Sequence, residues 1–154
     1  MVELNFIDFE LTERCNNNCI HCYINRSSQN FLIKNKELRF KQIISILDDL
    51  HSNGIKKIRF TGGEPLLRDD FFDIYLYAYN LGFKIYVSTN ATLFTAKHLE
   101  LLRNQPPQLI STTIYGWDKY SYEKVTSTTA KVLILPASFC DATYKLYDFL
   151  TDST

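Results

Sequence analysis

Apolar and polar residues alternate in "LNFIDFELT", residues 4–12, which predicts a β-strand. From about Lys36 to Asn53 the period changes, and apolar residues recur at steps of three and four. That spacing predicts an amphipathic helix, and Gly54 follows it as a helix-ending glycine would. The chain therefore opens with a strand, a long polar loop and a helix.

The same two periods predict further strands and helices along the chain. Strands are predicted at 55–60, 83–88 and 109–116, and helices at 71–81 and 96–103 with a short helical turn at 117–125. Asp69 or Asp70 is the expected cap of the helix at 71–81, and Thr95 is the expected cap of the next one. The buried stripe of the helix at 71–81 is predicted to contain Phe71, Ile74, Tyr75 and Ala78.

Strands that are separated by helices pair in parallel through right-handed crossovers. We therefore predict an α/β fold of about four parallel βα units. In such sheets functional groups collect after the carboxyl ends of the strands. The cysteine-rich loop, "TGGEP", "STN" and "TIYG" all lie at or just after a predicted strand end, which predicts one shared site.

Composition narrows the class of protein. The 154 residues suit one domain, and 17 basic and 17 acidic residues give a net charge of +0. This balance argues against nucleic-acid binding through a broad basic surface. We see neither a signal peptide nor an apolar segment that could span a bilayer, so we expect a cytoplasmic protein without a membrane partner. Reduced thiols are the rule in that compartment, which disfavours a structural disulfide.

The stretch "TERCNNNCIHC", residues 12–22, holds Cys15, Cys19 and Cys22. Three kinds of site fit this triplet taken alone. Structural zinc would need a fourth ligand, for which His21, His51 and Cys140 are candidates. A thioredoxin-like redox pair would use Cys19 and Cys22 and leave Cys15 without a role.

An iron–sulfur cluster is the third kind of site. A 4Fe–4S cluster usually takes four thiolates, whereas three on one short loop reach three irons and leave the fourth without a protein ligand. An open coordination position distinguishes a reactive metal site from a structural one. A second motif, "RFTGGEPLLR", lies on the next predicted strand; its glycines allow close approach to a ligand, and Glu64 is an acceptor suited to an ammonium group.

The two motifs together resemble the radical S-adenosylmethionine (radical SAM) superfamily. The resemblance rests on Cys15-x-x-x-Cys19-x-His21-Cys22 followed by Gly62-Gly63-Glu64-Pro65, and it runs from about Phe6 to Thr126. The residues that flank both motifs most resemble those of the SPASM-like branch, which modifies peptides or matures cofactors. The resemblance implies part of a TIM-like barrel.

The resemblance also implies roles for individual residues. Cys15, Cys19 and Cys22 would ligate a 4Fe–4S cluster whose open iron is chelated by S-adenosylmethionine (SAM). His21 would lie near the adenine, and the Gly62-Gly63-Glu64 segment would meet SAM, with Gly63 and Glu64 at the methionyl ammonium.

Three further positions match the family less specifically. Ser88 and Asn90 match positions near the ribose and carboxylate, although the family often has glycine where this chain has Ala91. Thr113 matches a hydroxyl that contacts SAM.

The implied reaction begins with an electron from a low-potential donor of the flavodoxin or ferredoxin type. Reductive cleavage of SAM then gives methionine and a 5′-deoxyadenosyl radical, which abstracts hydrogen from a peptide or small-molecule cofactor precursor. No catalytic acid or base is assigned. The alternative is a truncated, non-catalytic module that keeps the cluster and SAM sites.

Family barrels contain about six βα units, whereas this sequence predicts about four. We therefore interpret residues 1–154 as a single, apparently truncated core domain in which 127–154 depart from the family pattern. A last helix is predicted from about Ser138, and Cys140 within it is interpreted as a small buried hydrophobic residue.

Overall fold

The computed structural model describes residues 5–24, 26–113, 115–116 and 118–129. Four strands and five α-helices follow one another within these residues, and a short 3-10 turn at Pro65–Leu67 lies after the second strand. The strands are β1 Phe6–Thr12, β2 Lys57–Gly62, β3 Lys84–Ser88 and β4 Leu109–Ser111. The helices are α1 Phe31–Lys34, α2 Phe40–Ser52, α3 Phe71–Asn80, α4 Ala96–Asn104 and α5 Lys119–Thr126.

The strands form one parallel sheet in the order β1-β2-β3-β4. Phe9 of β1 pairs with Phe60 of β2, which in turn pairs with Val87 of β3. This register brings the carboxyl ends of the strands to one edge of the sheet, called here the carboxyl edge. The predicted α/β fold of four parallel βα units is confirmed, and across the described residues the sheet does not close into a barrel.

The core lies between the sheet and its covering helices. Ile58, Phe60 and Ile85 are almost fully buried on the sheet. The predicted stripe of α3 is confirmed, since its buried residues are Phe71, Ile74, Tyr75 and Ala78. The opposite sheet face is more open, and there Arg59 pairs with Asp8 and lies over the ring of Phe6.

Local interactions move several element ends from their predicted positions. Helix α2 begins at Phe40 rather than near Lys36, and at this end the peptide nitrogen of Arg39 donates to the side-chain oxygen of Gln42 at 2.9 Å. Asp70 occupies the N-cap position of α3 but does not cap it, since its carboxylate pairs with Arg68. Thr95 caps α4 as predicted, accepting a hydrogen bond from the His98 amide.

Strand β4 ends at Ser111, earlier than predicted, and the helical turn expected at 117–125 is a helix capped by Asp118. The predicted last helix and Cys140 lie outside the described residues. Within the described part of the chain, no helix is long and apolar enough to cross a membrane.

Candidate functional site

A cavity of about 310 Å³ opens at the carboxyl edge of the sheet. Loops after all four strands contribute to its lining. Nine of the sequence-predicted site residues lie there: Cys15, Cys19, His21, Cys22, Gly62, Gly63, Ser88, Asn90 and Thr113. A second cavity of about 480 Å³ lies beside β1, and none of the sequence-predicted site residues lines it.

The three cysteines reach the cavity from the loop after β1. Each is half-buried, and none forms a disulfide. Burial raises the pKa of the Cys15 thiol, and burial likewise raises the pKa of the Cys19 thiol despite a hydrogen bond from Tyr115. Metal binding to such thiols releases protons, because the thiolate is the ligand.

Two hydrogen-bond donors lie near the sulfur of Cys15. The peptide nitrogen of Asn17 lies 3.4 Å from Cys15 Sγ, and the side-chain nitrogen of Asn90 lies 3.7 Å from the same atom. Both donors favour negative charge on this sulfur.

The double glycine holds the cysteine loop against β2. The peptide nitrogens of Gly63 and Glu64 donate to the carbonyls of Thr12 and Arg14, each at 2.8 Å. A Cβ on Gly63 would lie 2.3 Å from the Arg14 carbonyl oxygen, and one on Gly62 would lie 2.1 Å from that of Thr12. The close approach that requires glycine is therefore between two backbone segments of this chain.

Glu64 lies behind the cavity lining and is fully buried. Its carboxylate accepts hydrogen bonds from the Thr89 hydroxyl at 2.7 Å, the Asn90 amide at 2.7 Å and the Leu66 amide at 3.0 Å. Burial raises the pKa of this carboxyl, and the three donors oppose the rise. Glu64 thus joins the turn after β2 to the loop after β3, while its predicted contact with an ammonium group remains a prediction.

The loop after β3 is sharply turned at Ala91, whose φ is 63°. This left-handed conformation favours glycine, which gives a physical reason for the family's preference at that position. The turn directs the side chain of Asn90 back towards the cysteine loop, where it meets Asn16 at 2.8 Å.

Helix α5 holds the other side of the cysteine loop. The peptide nitrogens of Asn18 and Ile20 donate to the carbonyls of Thr126 and Val125, at 2.8 and 3.0 Å. Asn17 is also nearly buried, and its side-chain nitrogen donates to the Tyr122 hydroxyl at 3.2 Å. Its Oδ1 has no hydrogen-bond partner among the described residues. Two peptide donors of the loop are therefore satisfied by the last turn of a distant helix.

A buried ion cluster supports the start of the same loop. Arg14, adjacent to Cys15, pairs with Glu37 at 2.7 Å, and Arg68 lies 3.7 Å from Glu37. The hydroxyl of Thr12 also donates to Glu37. Burial works to raise the pKa of Glu37, but hydrogen bonds from Arg14 and Thr12 hold it below its ordinary value.

Sequence reasoning assigned no role to Arg14, Glu37 or Arg68. Each stands in a polar stretch that is typical of an exposed loop, so the sequence carries no periodic signal for their burial.

Two aromatic side chains, His21 and Tyr115, are part of the cavity lining. The rings of His21 and Tyr115 lie 5.1 Å apart, and Tyr115 in turn lies 6.3 Å from the ring of Tyr122. The rings of His21 and Tyr115 are inclined by 48°, so they form an angled aromatic wall, and the position of His21 near the adenine remains a prediction. Sequence reasoning did not single out Tyr115, although it lies within the quoted "TIYG" segment.

These residues fit a cubane cluster by their chemistry. Three thiols from one loop line a cavity beside a backbone that carries no side chain at Gly62 and Gly63. Soft thiolates suit iron–sulfur clusters and zinc alike. Across the described residues no three His, Cys, Asp or Glu side chains converge tightly enough to hold a single metal ion, and a four-iron cluster is wider than one ion.

Comparison with known proteins identifies the family. Residues 9–134 match the family described as the Radical SAM superfamily. The chain is 36% identical over 110 residues to the AdoMet-dependent heme synthase of Methanosarcina barkeri (strain Fusaro / DSM 804), a match that covers 71% of this chain and 31% of that protein.

Solved structures agree with the fold. SuiB of Streptococcus suis bound to S-adenosylmethionine matches with a TM-score of 0.63 and 18% identity, over 81% of this chain and 27% of SuiB. SuiB bound to its precursor peptide SuiA matches with a TM-score of 0.67 and 20% identity, over the same shares. The described βα units thus correspond to part of a TIM-like barrel.

The chain spans less than a third of the length of the heme synthase and of SuiB. The family match covers most of the chain and includes both motifs that line the cavity. Membership implies a 4Fe–4S cluster and S-adenosylmethionine as cofactors. The chain belongs to the radical SAM superfamily.

Proposed function

We propose that this chain binds a 4Fe–4S cluster through Cys15, Cys19 and Cys22 and binds SAM in the adjoining cavity. The observation that carries the proposal is the shared cavity: the cysteine triplet and the double glycine line it together, although they lie on loops after different strands. A structural zinc site or a thioredoxin-like redox pair would use the cysteines alone and would give no role to the cavity surface that Gly62, Gly63, Ser88 and Thr113 line beside them.

Together the cluster and SAM supply one-electron cleavage of SAM to methionine and a 5′-deoxyadenosyl radical that abstracts hydrogen from a substrate. The protein's own residues hold and orient these groups. The Gly62-Gly63 backbone and the hydroxyls of Ser88 and Thr113 are the proposed polar contacts of SAM, and Asn90 lines the same side of the cavity. His21 and Tyr115 offer the ring surface for the adenine.

Glu64 is proposed to act from behind this surface. Its carboxylate accepts from Thr89 and Asn90, so it fixes the loop that carries the cavity-lining side chain of Asn90. The resemblance to the family also implies a direct contact between Glu64 and the methionyl ammonium of SAM, and this contact is part of the proposal.

The proposed substrate is a peptide or a small-molecule cofactor precursor. Two comparisons support this class: one relative is named a heme synthase, and SuiB was crystallised with a precursor peptide. The reaction also needs a low-potential donor such as a flavodoxin or ferredoxin. We further propose that residues 1–154 form one radical SAM core domain that provides part of the barrel.

A non-catalytic module that retains cluster and SAM binding is the second candidate. It is favoured by the sheet, which does not close across the described residues, so that one face of the sheet stays open. Water can enter an open site, and a reactive radical formed there would be poorly protected from side reactions.

Anaerobic reconstitution with iron and sulfide tests cluster binding. We expect about four irons and four sulfides per chain, the stoichiometry of a 4Fe–4S cluster. The Cys15→Ala, Cys19→Ala, Cys22→Ala triple variant should lose this uptake, whereas the Cys140→Ala control should keep it. Equal iron uptake by the triple variant, or zinc uptake without sulfide, would refute the assignment.

Incubation of the reduced, reconstituted protein with SAM separates the enzyme from the module. Release of 5′-deoxyadenosine and methionine supports the enzyme. Binding of SAM without cleavage supports the non-catalytic module instead.

A further inference from the structure

Asn90 directs its side-chain amide at the sulfur of Cys15. The Nδ2 atom lies 3.7 Å from Cys15 Sγ and 2.8 Å from Asn16 Oδ1. An asparagine amide nitrogen carries two hydrogens, so it can donate to both acceptors at once. The loop after β3 therefore supplies a hydrogen-bond donor to the first cysteine of the triplet.

The orientation of this amide is fixed by its oxygen. The peptide nitrogen of Thr92 lies 3.0 Å from Asn90 Oδ1, and the Thr92 hydroxyl lies 2.7 Å from the same atom. A peptide nitrogen only donates, so the atom that faces it must be the oxygen. The amide nitrogen must then face Cys15, and rotation of the amide by half a turn would lose the bond from Thr92.

The backbone of Asn90 is held just as firmly. Its peptide nitrogen donates to Glu64 Oε2 at 2.7 Å, and Glu64 is fully buried. Asn90 thus connects the Gly-Gly-Glu motif, through its backbone, to the cysteine motif, through its side chain. A donor held at both ends loses little conformational freedom when it bonds to sulfur.

We propose that Asn90 donates a hydrogen bond to the Cys15 sulfur of the bound cluster and thereby raises the cluster's reduction potential. The inference rests on the proposed function, because it concerns the same three cysteines. A hydrogen bond to a thiolate stabilises negative charge, and the cluster carries one more negative charge after reduction. Asn90 is accordingly a positioning residue that acts through Cys15, a role distinct from the ribose or carboxylate contact that the sequence predicts.

The experiment is a redox titration of the reconstituted full chain, with dithionite as the one-electron donor and the reduced cluster followed by electron paramagnetic resonance. Asn90→Leu removes the donor and keeps the number and branching of the side-chain heavy atoms. We expect its iron and sulfide content to match that of the parent protein. The equilibrium constant for reduction should fall about threefold to tenfold, as for loss of one hydrogen bond, where tenfold equals 59 mV for one electron.

Thr92→Val is the matched control. It removes the hydroxyl that donates to Asn90 and accepts from Asn16 at 2.8 Å, while the Asn90 amide nitrogen and the Thr92 peptide nitrogen remain. A general loosening of this loop would shift the potential of both variants. We expect a shift in Asn90→Leu alone.

Should Asn90→Leu fold poorly, Asn90→Ala serves in its place with the same expected direction. An unchanged potential in a fully loaded Asn90 variant overturns the inference, as does an equal shift in Thr92→Val. A parent protein that takes up no cluster overturns the proposed function as well, so the two failures are distinguishable.

Discussion

The peptide nitrogen of Asn18 lies 2.8 Å from the carbonyl oxygen of Thr126. This bond ties the middle of the cysteine loop to the last turn of α5, and Ile20 makes the equivalent bond to Val125 at 3.0 Å. The final carbonyls of a helix have no partner within the helix, so they are free to accept from another segment. The segment that follows β4 thus fixes the shape of the loop that follows β1.

Substitution of Tyr122 by Phe should weaken this connection. The Tyr122 hydroxyl is the partner of the Asn17 side-chain nitrogen, and Asn17 is only 6% exposed. Loss of the hydroxyl leaves a buried amide unsatisfied, which costs about 1–3 kcal/mol. Urea unfolding followed by circular dichroism measures the change.

Tyr120→Phe on the same helix is the control, because Tyr120 is 75% exposed. Its free energy of unfolding should stay within about 0.5 kcal/mol of the parent value. Equal stability of both variants would contradict the structural role of the Asn17–Tyr122 bond.

Gly63→Ala should displace the cysteine loop. The added Cβ would meet the Arg14 carbonyl oxygen at 2.3 Å, and this backbone atom cannot swing aside as a flexible side chain would. We expect destabilisation of at least about 2 kcal/mol, together with reduced iron loading on reconstitution.

Gly54→Ala separates steric overlap from backbone strain. Gly54 has a φ of 84°, and a Cβ there meets nothing within 4 Å. Gly54→Ala should lower the free energy of unfolding by about 1 kcal/mol and leave iron loading at the parent level. If iron loading falls equally in Gly63→Ala and Gly54→Ala, the close approach of Gly63 to Arg14 is not the feature that cluster binding requires.

Glu37→Gln should destabilise the protein by about 3 kcal/mol at pH 7, because two buried arginines then lose their shared carboxylate. The pKa of Glu37 is lowered in the folded protein. A lowered carboxyl pKa contributes stability above the unfolded value of about 4.3, and this contribution is lost as the pH falls through the folded value. The difference between parent and variant should therefore shrink below about pH 4.

Asp8→Asn is the comparison for Glu37→Gln. Asp8 also pairs with an arginine, Arg59, but both side chains are substantially exposed. Exposed pairs contribute about 0–1 kcal/mol, so this variant should unfold nearly like the parent. Chemical denaturation at several pH values measures the free energy of unfolding of Glu37→Gln and of Asp8→Asn.

The sequence predicts the parts of this molecule that follow from periodicity and from chain direction. The alternation in β1 and the helical spacing of α3 are local properties, and both elements form where they are predicted. Parallel pairing then brings the four strand ends to one edge, which is why nine site residues chosen from the sequence line one cavity.

Contacts between distant polar residues could not be predicted in the same way. Arg14 and Glu37 look like ordinary loop residues, and their burial depends on how the loop before α2 packs against the end of β1. The glycine pair was expected to admit a ligand, which remains a prediction, and the sequence did not indicate its close approach to the backbone of residues 12–14. Such distinctions depend on three-dimensional packing, for which the sequence has no periodic signal.

Ser88→Ala and Thr113→Val should weaken binding of SAM without loss of the cluster. Both hydroxyls line the cavity beside the cysteine loop, and neither residue belongs to the cysteine triplet. Removal of one neutral hydrogen bond to a ligand corresponds to about a twofold to tenfold rise in Kd. Anaerobic calorimetric titration of the reconstituted protein with SAM measures this rise, and iron content verifies that the cluster is intact.

Ser52→Ala is the control. Its hydroxyl bonds to the Asp49 carbonyl at the exposed end of α2, so its removal should leave the Kd for SAM unchanged. If both cavity variants bind SAM as tightly as Ser52→Ala does, the hydroxyls at the ends of β3 and β4 are not part of the SAM site, and the proposed position of SAM in this cavity is wrong.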